Sequence, residues 1–207
     1  NKNTIIGDDA LAILNAYGIG IVKSVKAKTE SELFEALNNL AFPVAMKTDD
    51  PAILHKTEVG GVILNLNNKD SVLNSFNQMK SKFSGPNQDF EGVVLQEMVT
   101  DGVETIIGMN SDPFNGSLMM FGLGGVQVEL MKDVAFRVGP LTDIEADELI
   151  ISIKAFPLLN GFRGSIPVDL KKLSETIQRL SQLASDFPDI ESFDINPFLA
   201  SANPERS

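Results

Sequence analysis

The stretch GVVLQEMVTDGVETIIGMNSDPFNGSLMMF, residues 92–121, decides the fold. Its apolar residues fall in short runs, Gly92 to Met98, Val103 to Met109 and Ser117 to Phe121, rich in Val, Ile, Met and Phe. Runs of that length and composition are strands, and Asn110-Ser111-Asp112-Pro113-Phe114-Asn115-Gly116 between the last two is the turn of a hairpin. Two further strands are expected at Val126 to Leu130 and Val134 to Val138, followed by two helices. The second helix, from about Asp169 to Phe187, carries Leu170, Leu173, Ile177, Leu180 and Leu183 on one stripe and stops at Pro188.

Before residue 92 the pattern differs. Asp8 can cap a short helix with Leu11, Leu14 and Tyr17 on one face, which Gly18 ends, and Ile19 to Val22 reads as a strand. A helix is expected from Ser31 to Leu40, strands at Phe42 to Lys47 and Gly61 to Leu66, and a helix from Asp70 to Phe83. Helices alternating with strands predict an α+β or α/β lobe. The change of pattern near Gln96 to Val99 places a hinge there, giving lobes 1–95 and 96–207.

Composition narrows the chemistry. A chain of 207 residues with 43% hydrophobic and 22% charged residues can bury a full core. No apolar run approaches the roughly 18 residues that cross a bilayer, so a cytoplasmic protein with no membrane partner is expected. The absence of cysteine and the single histidine exclude disulfides, thiolate sites and multi-histidine zinc, so a metal must be held by oxygen, which points to magnesium. A net charge of -11 without lysine clusters argues against nucleic acid, whereas a nucleotide pocket needs only local cations and backbone amides. The chain begins at Asn1 rather than methionine, which suggests a trimmed chain or one domain of a longer polypeptide.

The single histidine, His55, lies in ILHKTEVGGV, residues 53–62, between apolar runs and beside a paired glycine. An imidazole keeps a neutral nucleophilic fraction near neutral pH and can carry a phosphoryl group, although a lone histidine is also an ordinary hydrogen-bonding residue. Lys47 ends an apolar strand, where its stem can follow the core while the ammonium reaches a phosphate, and strand-ending lysines without a ligand are equally ordinary. Gln96, Glu97, Met98 and Val99 end a strand whose backbone can pair with an adenine edge. Glu104 fits a ribose hydroxyl or plain solvent. Gly124 and Gly125 let backbone approach a ligand or make a tight turn. Arg137 can fork a phosphate or pair with Asp133. Asp194 and Asn196, at i and i+2 in FDINP, point the same way and suit magnesium on a nucleotide.

Taken together, FPVAMK (42–47), ILHKTEVGGV (53–62), GVVLQEMV (92–99), GVETIIGMNSDPFNG (102–116), MFGLGGVQVELMKDVAFRVGPLT (120–142), FPLLNGFRG (156–164) and FDINP (193–197) resemble the ATP-grasp domain of the ADP-forming acyl-CoA synthetases, β-subunit type. The resemblance runs from about residue 8 to residue 199. It implies a two-lobed ATP-grasp fold with nucleotide between the lobes, and reversible conversion of acyl-CoA, phosphate and ADP to acid, CoA and ATP. It further implies His55 as transient phosphohistidine and Lys47 and Arg137 as phosphate ligands. Gln96 to Val99 would hold adenine, Glu104 the sugar, Gly124 and Gly125 the approach of backbone to nucleotide, and Asp194 with Asn196 the Mg2+. Members of the family continue past the Asn-Pro segment into a strand bearing another acid, where this chain reads ASANPERS, so one metal ligand is expected to be missing. A CoA-binding, acyl-phosphate-forming subunit or set of domains is implied as partner. The competing reading is a regulatory, ligand-sensing module fused to a protein lysine acetyltransferase; retention of His55, Lys47, Arg137 and Asn196 favours catalysis. A stand-alone carboxylate-amine ligase fits less well.

Overall fold

The computed structural model describes residues 4–53, 56–85, 89–112, 114, 116–125 and 133–203. In chain order the elements are α1 (Asp8–Ala16), β1 (Ser24–Ala27), α2 (Glu30–Leu37), β2 (Val44–Thr48), β3 (Val62–Leu66), α3 (Lys69–Phe83), β4 (Val93–Glu97), β5 (Val103–Asp112), β6 (Gly116–Leu123), β7 (Val134–Val138), α4 (Asp143–Ile151), α5 (Phe156–Leu159), α6 (Leu170–Asp186) and β8 (Ser192–Ala200). They form two compact units, one of Val22–Val99 and one of Thr100 onward together with the segment up to Ile21. The expected division at 95/96 would cut β4, which lies wholly within the sheet of the first unit. No helix among the described residues is long and apolar enough to cross a membrane.

In the Val22–Val99 unit four antiparallel strands run in the order β1-β4-β2-β3. Alternation sends Val44, Met46, Val93 and Leu95 to one face, where they are fully buried against Leu33, Ala36 and Leu37 of α2 and Val72, Phe76 and Met79 of α3. Each such large apolar side chain contributes about 1.5–3 kcal/mol. Phe76 meets Phe90 edge to face at 5.5 Å. The opposite face keeps Leu64 54% exposed, and neither helix of this unit covers it.

Helix α3 starts where its sequence says it must. Asn68 accepts from Ser71 N–H at 2.8 Å and Ser71 Oγ accepts from Asn68 N–H at 3.3 Å, a reciprocal cap on the free amides of the first turn. Asp70 in that turn and Lys80 and Lys82 in the last one match the helix dipole. Asn68→Ala should therefore lower unfolding stability by about 1 kcal/mol in urea titration, and Asn68→Ser should restore most of it. An unchanged midpoint in the alanine variant would show that core packing alone sets the helix start.

In the second unit the sheet order is β7-β6-β5-β8, again antiparallel. Ile107, Met109, Met119, Phe121 and Phe198 face α4 and α6, and Ile13, Leu14 and Tyr17 of α1 pack against the same core. The long helix α6 presents its predicted stripe to that core, with Asp169 capping it through Lys172 N–H at 2.9 Å. Two expectations fail near the start of the chain. Asp8 lies inside α1, whose N-cap is Gly7. Ile19 to Val22 forms no strand, and Ile19 is instead buried in the core between this sheet and its helices. The segment is tied down by Tyr17 Oη donating to Asp186 at 2.7 Å and by Arg179 donating to the carbonyls of Tyr17 and Gly18, both at 3.1 Å. Strands β5 and β6 extend further into the turn than predicted, to Asp112 and from Gly116, and Asp112 accepts from Phe114 N–H at 2.8 Å. The expected strand Val126 to Leu130 lies outside the described residues.

Candidate functional site

On the open face of the Val22–Val99 sheet, register puts Lys26, Val94, Lys47 and Val62 in one row across four strands, and Ser24, Gln96 and Ala45 in the next. Lys47 Nζ donates to Gln96 Oε1 at 2.5 Å. Burial of its stem lowers the Lys47 pKa, and the positive charge of Lys56 lowers it further. Among the described residues no carboxylate lies within 4.0 Å of Lys47. Its row-mate Lys26 is treated differently, since Asp49 meets it at 3.1 Å.

The strip Gln96 to Val99 is more firmly built in than an adenine-pairing edge requires. Gln96 is committed to Lys47, and the N–H groups of Glu97 and Met98 donate to the carbonyls of Lys23 and Pro43 at 3.0 and 2.9 Å. The Glu97 carboxylate accepts from Ala41 N–H at 2.8 Å, and Met98 Sδ accepts from Asn65 N–H at 3.1 Å. Among the described residues the Val99 N–H has no partner, so it is the one amide of the three available to a base.

His55 lies outside the described residues, but both flanks of its loop are fixed. Buried Asp50 accepts from Ala52 N–H at 2.8 Å, and its carbonyl accepts from Ile53 N–H at 3.2 Å. On the far side Gly61 N–H donates to the Lys56 carbonyl at 2.6 Å, and Thr48 N–H donates to the Gly61 carbonyl at 2.8 Å. The described flanks on either side of residues 54–55 therefore leave and rejoin the sheet beside Lys47.

The sheet of the second unit also has a face turned away from α4 and α6. Asp194, Gly108, Met120 and Phe136 form one row on it, and Ile106, Gly122 and Val134 another. Asp194 is exposed, yet partial desolvation by the sheet raises its carboxyl above the ordinary value. Asn196 follows on the exposed side, just before a bulge where Asn196 and Pro197 together oppose Ile106. Neither side chain has a hydrogen-bond or cation partner among the described residues. An acid and an amide oxygen left open on one face are donors for a hard cation, so these residues fit magnesium. Groups of three or more His, Cys, Asp or Glu able to hold a metal are absent among the described residues.

Glu104 and the glycines come together at the ends of neighbouring strands. Gly124 N–H donates to the Glu104 carbonyl at 2.6 Å, and a Cβ on Gly125, at φ +75°, would stand 2.9 Å from Glu104 Oε2. Arg137 does not join them. It pairs with buried Met119 on the helix-facing side of β7, opposite the Asp194 row. There it reaches Glu148 of α4 at 3.8 Å and donates to the Phe136 carbonyl at 3.1 Å. Asp133, the alternative partner, instead accepts from the N–H groups of Lys154 and Ala155 at 2.9 and 2.7 Å. Residue pattern had singled out neither Lys56 nor Arg163. In Gly161-Phe162-Arg163-Gly164, glycines flank a non-glycine at φ +54° whose guanidinium stands 5.3 Å from the Phe162 ring centroid.

The family model of the ATP-grasp domain matches residues 1–204. The 4-hydroxybutyrate–CoA ligase [ADP-forming] of Nitrosopumilus maritimus is 44% identical over 200 residues, covering 96% of this chain and 29% of that protein. The acetate–CoA ligase [ADP-forming] I subunit beta of Pyrococcus furiosus is 38% identical over 198 residues, covering 95% of this chain and 85% of the subunit. A solved structure of Ca. Korarchaeum cryptofilum dinucleotide forming acetyl-coenzyme A synthetase 1 superposes with a TM-score of 0.81 at 33% identity, covering 96% of this chain and 86% of that one. It holds coenzyme A and Mg-AMPPCP, with its phosphohistidine segment pointing towards the nucleotide binding site.

Proposed function

The chain belongs to the ATP-grasp domain family, and from that premise we propose that it is the nucleotide-binding, phosphoryl-transferring portion of an ADP-forming acyl-CoA synthetase. It spans under a third of the single-chain ligase relative, 29%, and most of the separate β subunit, 85%. The rest of the reaction therefore belongs to a CoA-binding, acyl-phosphate-forming portion, whether a partner subunit or further domains, acting in the cytoplasm. The observation that carries the reading is Lys47: a partly desolvated ammonium, held by Gln96 and without a carboxylate among the described residues, is prepared for an anion.

In the proposed reaction a phosphoryl group arrives from the partner portion, and a ring nitrogen of His55 forms the new P–N bond as the donor's bond breaks. A terminal oxygen of ADP then takes the group, the P–N bond breaks and the imidazole is regenerated. Phosphoryl transfer asks mainly for positioning and charge neutralisation. Lys47 neutralises phosphate charge, the Val99 amide meets the base, and Glu104, beside the Gly124-Gly125 turn, meets the sugar. Asp194 and Asn196 would hold Mg2+, whose charge would neutralise more of the phosphate. Arg137, engaged with Glu148 on the other side of its sheet, is given no phosphate role. None of the proteins compared above is an acetyltransferase, and no observation favours the regulatory alternative.

The test is transfer of label from γ-labelled ATP and magnesium to the chain, as an acid-labile, base-stable adduct. No adduct, with or without the partner portion, would sink the reading. A second expectation concerns the metal: Asp194→Asn should weaken magnesium-dependent ATP binding about tenfold while adenosine binding is unchanged. Because the Asp194 pKa is raised, protons should compete with magnesium at higher pH than at an ordinary carboxylate. Calorimetric titrations at two pH values check both.

A further inference from the structure

Lys56 is held where it is by backbone. Its carbonyl accepts from Gly61 N–H at 2.6 Å, and Gly61 in turn bonds Thr48, the residue after Lys47, at 2.8 Å. Glycine is required for that approach. A Cβ on Gly61 would lie 2.8 Å from Thr48 Cγ2 and 3.0 Å from the Lys56 carbonyl oxygen, and Gly60 turns at φ +61°. The fold thus fastens Lys56 to the strand end that carries Lys47, close enough for its charge to lower the Lys47 pKa.

Two like charges drawn together are unfavourable for the folded state unless something neutralises them. Among the described residues neither Lys47 nor Lys56 has a carboxylate within 4.0 Å. On the same sheet face Lys26 is neutralised by Asp49 at 3.1 Å, whereas among the described residues no acid pairs with Lys47 or Lys56. A terminal phosphate carries close to two negative charges near neutral pH. One ammonium leaves such a group half neutralised, and two match it.

We propose that Lys56 and Lys47 form a two-cation seat for the terminal phosphate of a nucleoside triphosphate, with Lys56 a binding residue in its own right. This rests on the nucleotide-binding reading above and assigns a residue that reading does not use. It also gives the paired glycines a purpose, since Gly60 and Gly61 fix how far the second cation stands from the first.

The experiment is calorimetric binding of Mg-ATP and of adenosine to the 207-residue chain and to its Lys56→Gln and Lys56→Arg variants. Lys56→Gln should lose about tenfold in ATP affinity with adenosine affinity unchanged, and Lys56→Arg should keep most of the ATP affinity. In the glutamine variant the side-chain amine of Lys47, followed by NMR of labelled lysines, should titrate at higher pH than in the wild type. The seat is refuted if the wild type prefers ATP to adenosine and Lys56→Gln binds ATP equally well, in which case the wider reading stands. A wild-type chain that binds ATP no better than adenosine overturns both. Circular dichroism matching the wild type separates loss of binding from loss of fold, and Lys56→Arg, which keeps the charge, tests the seat again should the glutamine variant unfold.

Discussion

His55→Ala should reduce ATP formation from acyl-CoA, phosphate and ADP by about three orders of magnitude or more, measured on the chain combined with its CoA-binding portion. The same variant should bind Mg-ATP as the wild type does. A covalent relay fails completely when its nucleophile is removed, because the phosphoryl group has nowhere to wait between donor and acceptor. No second imidazole can take over, since the chain has one histidine. Acid-labile label from γ-labelled ATP should disappear together with turnover. Turnover within about tenfold of wild type would show instead that the phosphoryl group reaches ADP without resting on this chain. Loss of turnover and nucleotide binding together would make His55 part of the binding loop rather than the carrier.

How much of this was legible in the residues depends on the range of the contacts. Strands β2, β3 and β4 and helices α3 and α6 follow from local periodicity, and the structure has them within a residue or two of the expected places. The placement of residues 4–21 with the second unit was not legible, because it is made by Tyr17 with Asp186 and Arg179, each more than 150 positions further along the chain. Ile19 to Val22 looked like a strand because burial in a core and pairing in a sheet select the same apolar residues. The side of β7 that Arg137 takes was hidden for a related reason. Val134, Phe136 and Val138 are bulkier than Ala135, so alternation along β7 suggests that they face inward, yet Phe136 and Val138 are 47% and 56% exposed and Arg137 shares the helix side with Ala135. Periodicity gives the parity of a strand and cannot say which side the helices take. Lys47 was visible as a cation at a strand exit, whereas its companion Lys56 emerges only once Gly61 has folded the loop back onto Thr48.

Lys47→Met should move binding and stability in opposite directions. ATP affinity should fall by about two orders of magnitude, since a partly desolvated ammonium on a phosphate is among the stronger single contacts available. Stability should rise. Burial first and the Lys56 charge second hold the native Lys47 pKa below its unfolded value, so between the two values the unfolded chain binds more protons and stability increases with pH. Below that window the penalty for keeping the ammonium is present in full, and above the ordinary lysine range it is gone. Methionine, of similar length and without charge, removes the penalty at every pH. Its urea midpoint should therefore exceed the wild-type value at neutral pH, and the wild type should close the gap as the solution is made alkaline through the window. A lower midpoint with unchanged ATP affinity would mean that Lys47 is an ordinary strand-end lysine serving Gln96. A higher midpoint with weakened binding would identify the strain as functional, because a charge that destabilises the empty protein and is neutralised by ligand is the arrangement expected of a binding cation.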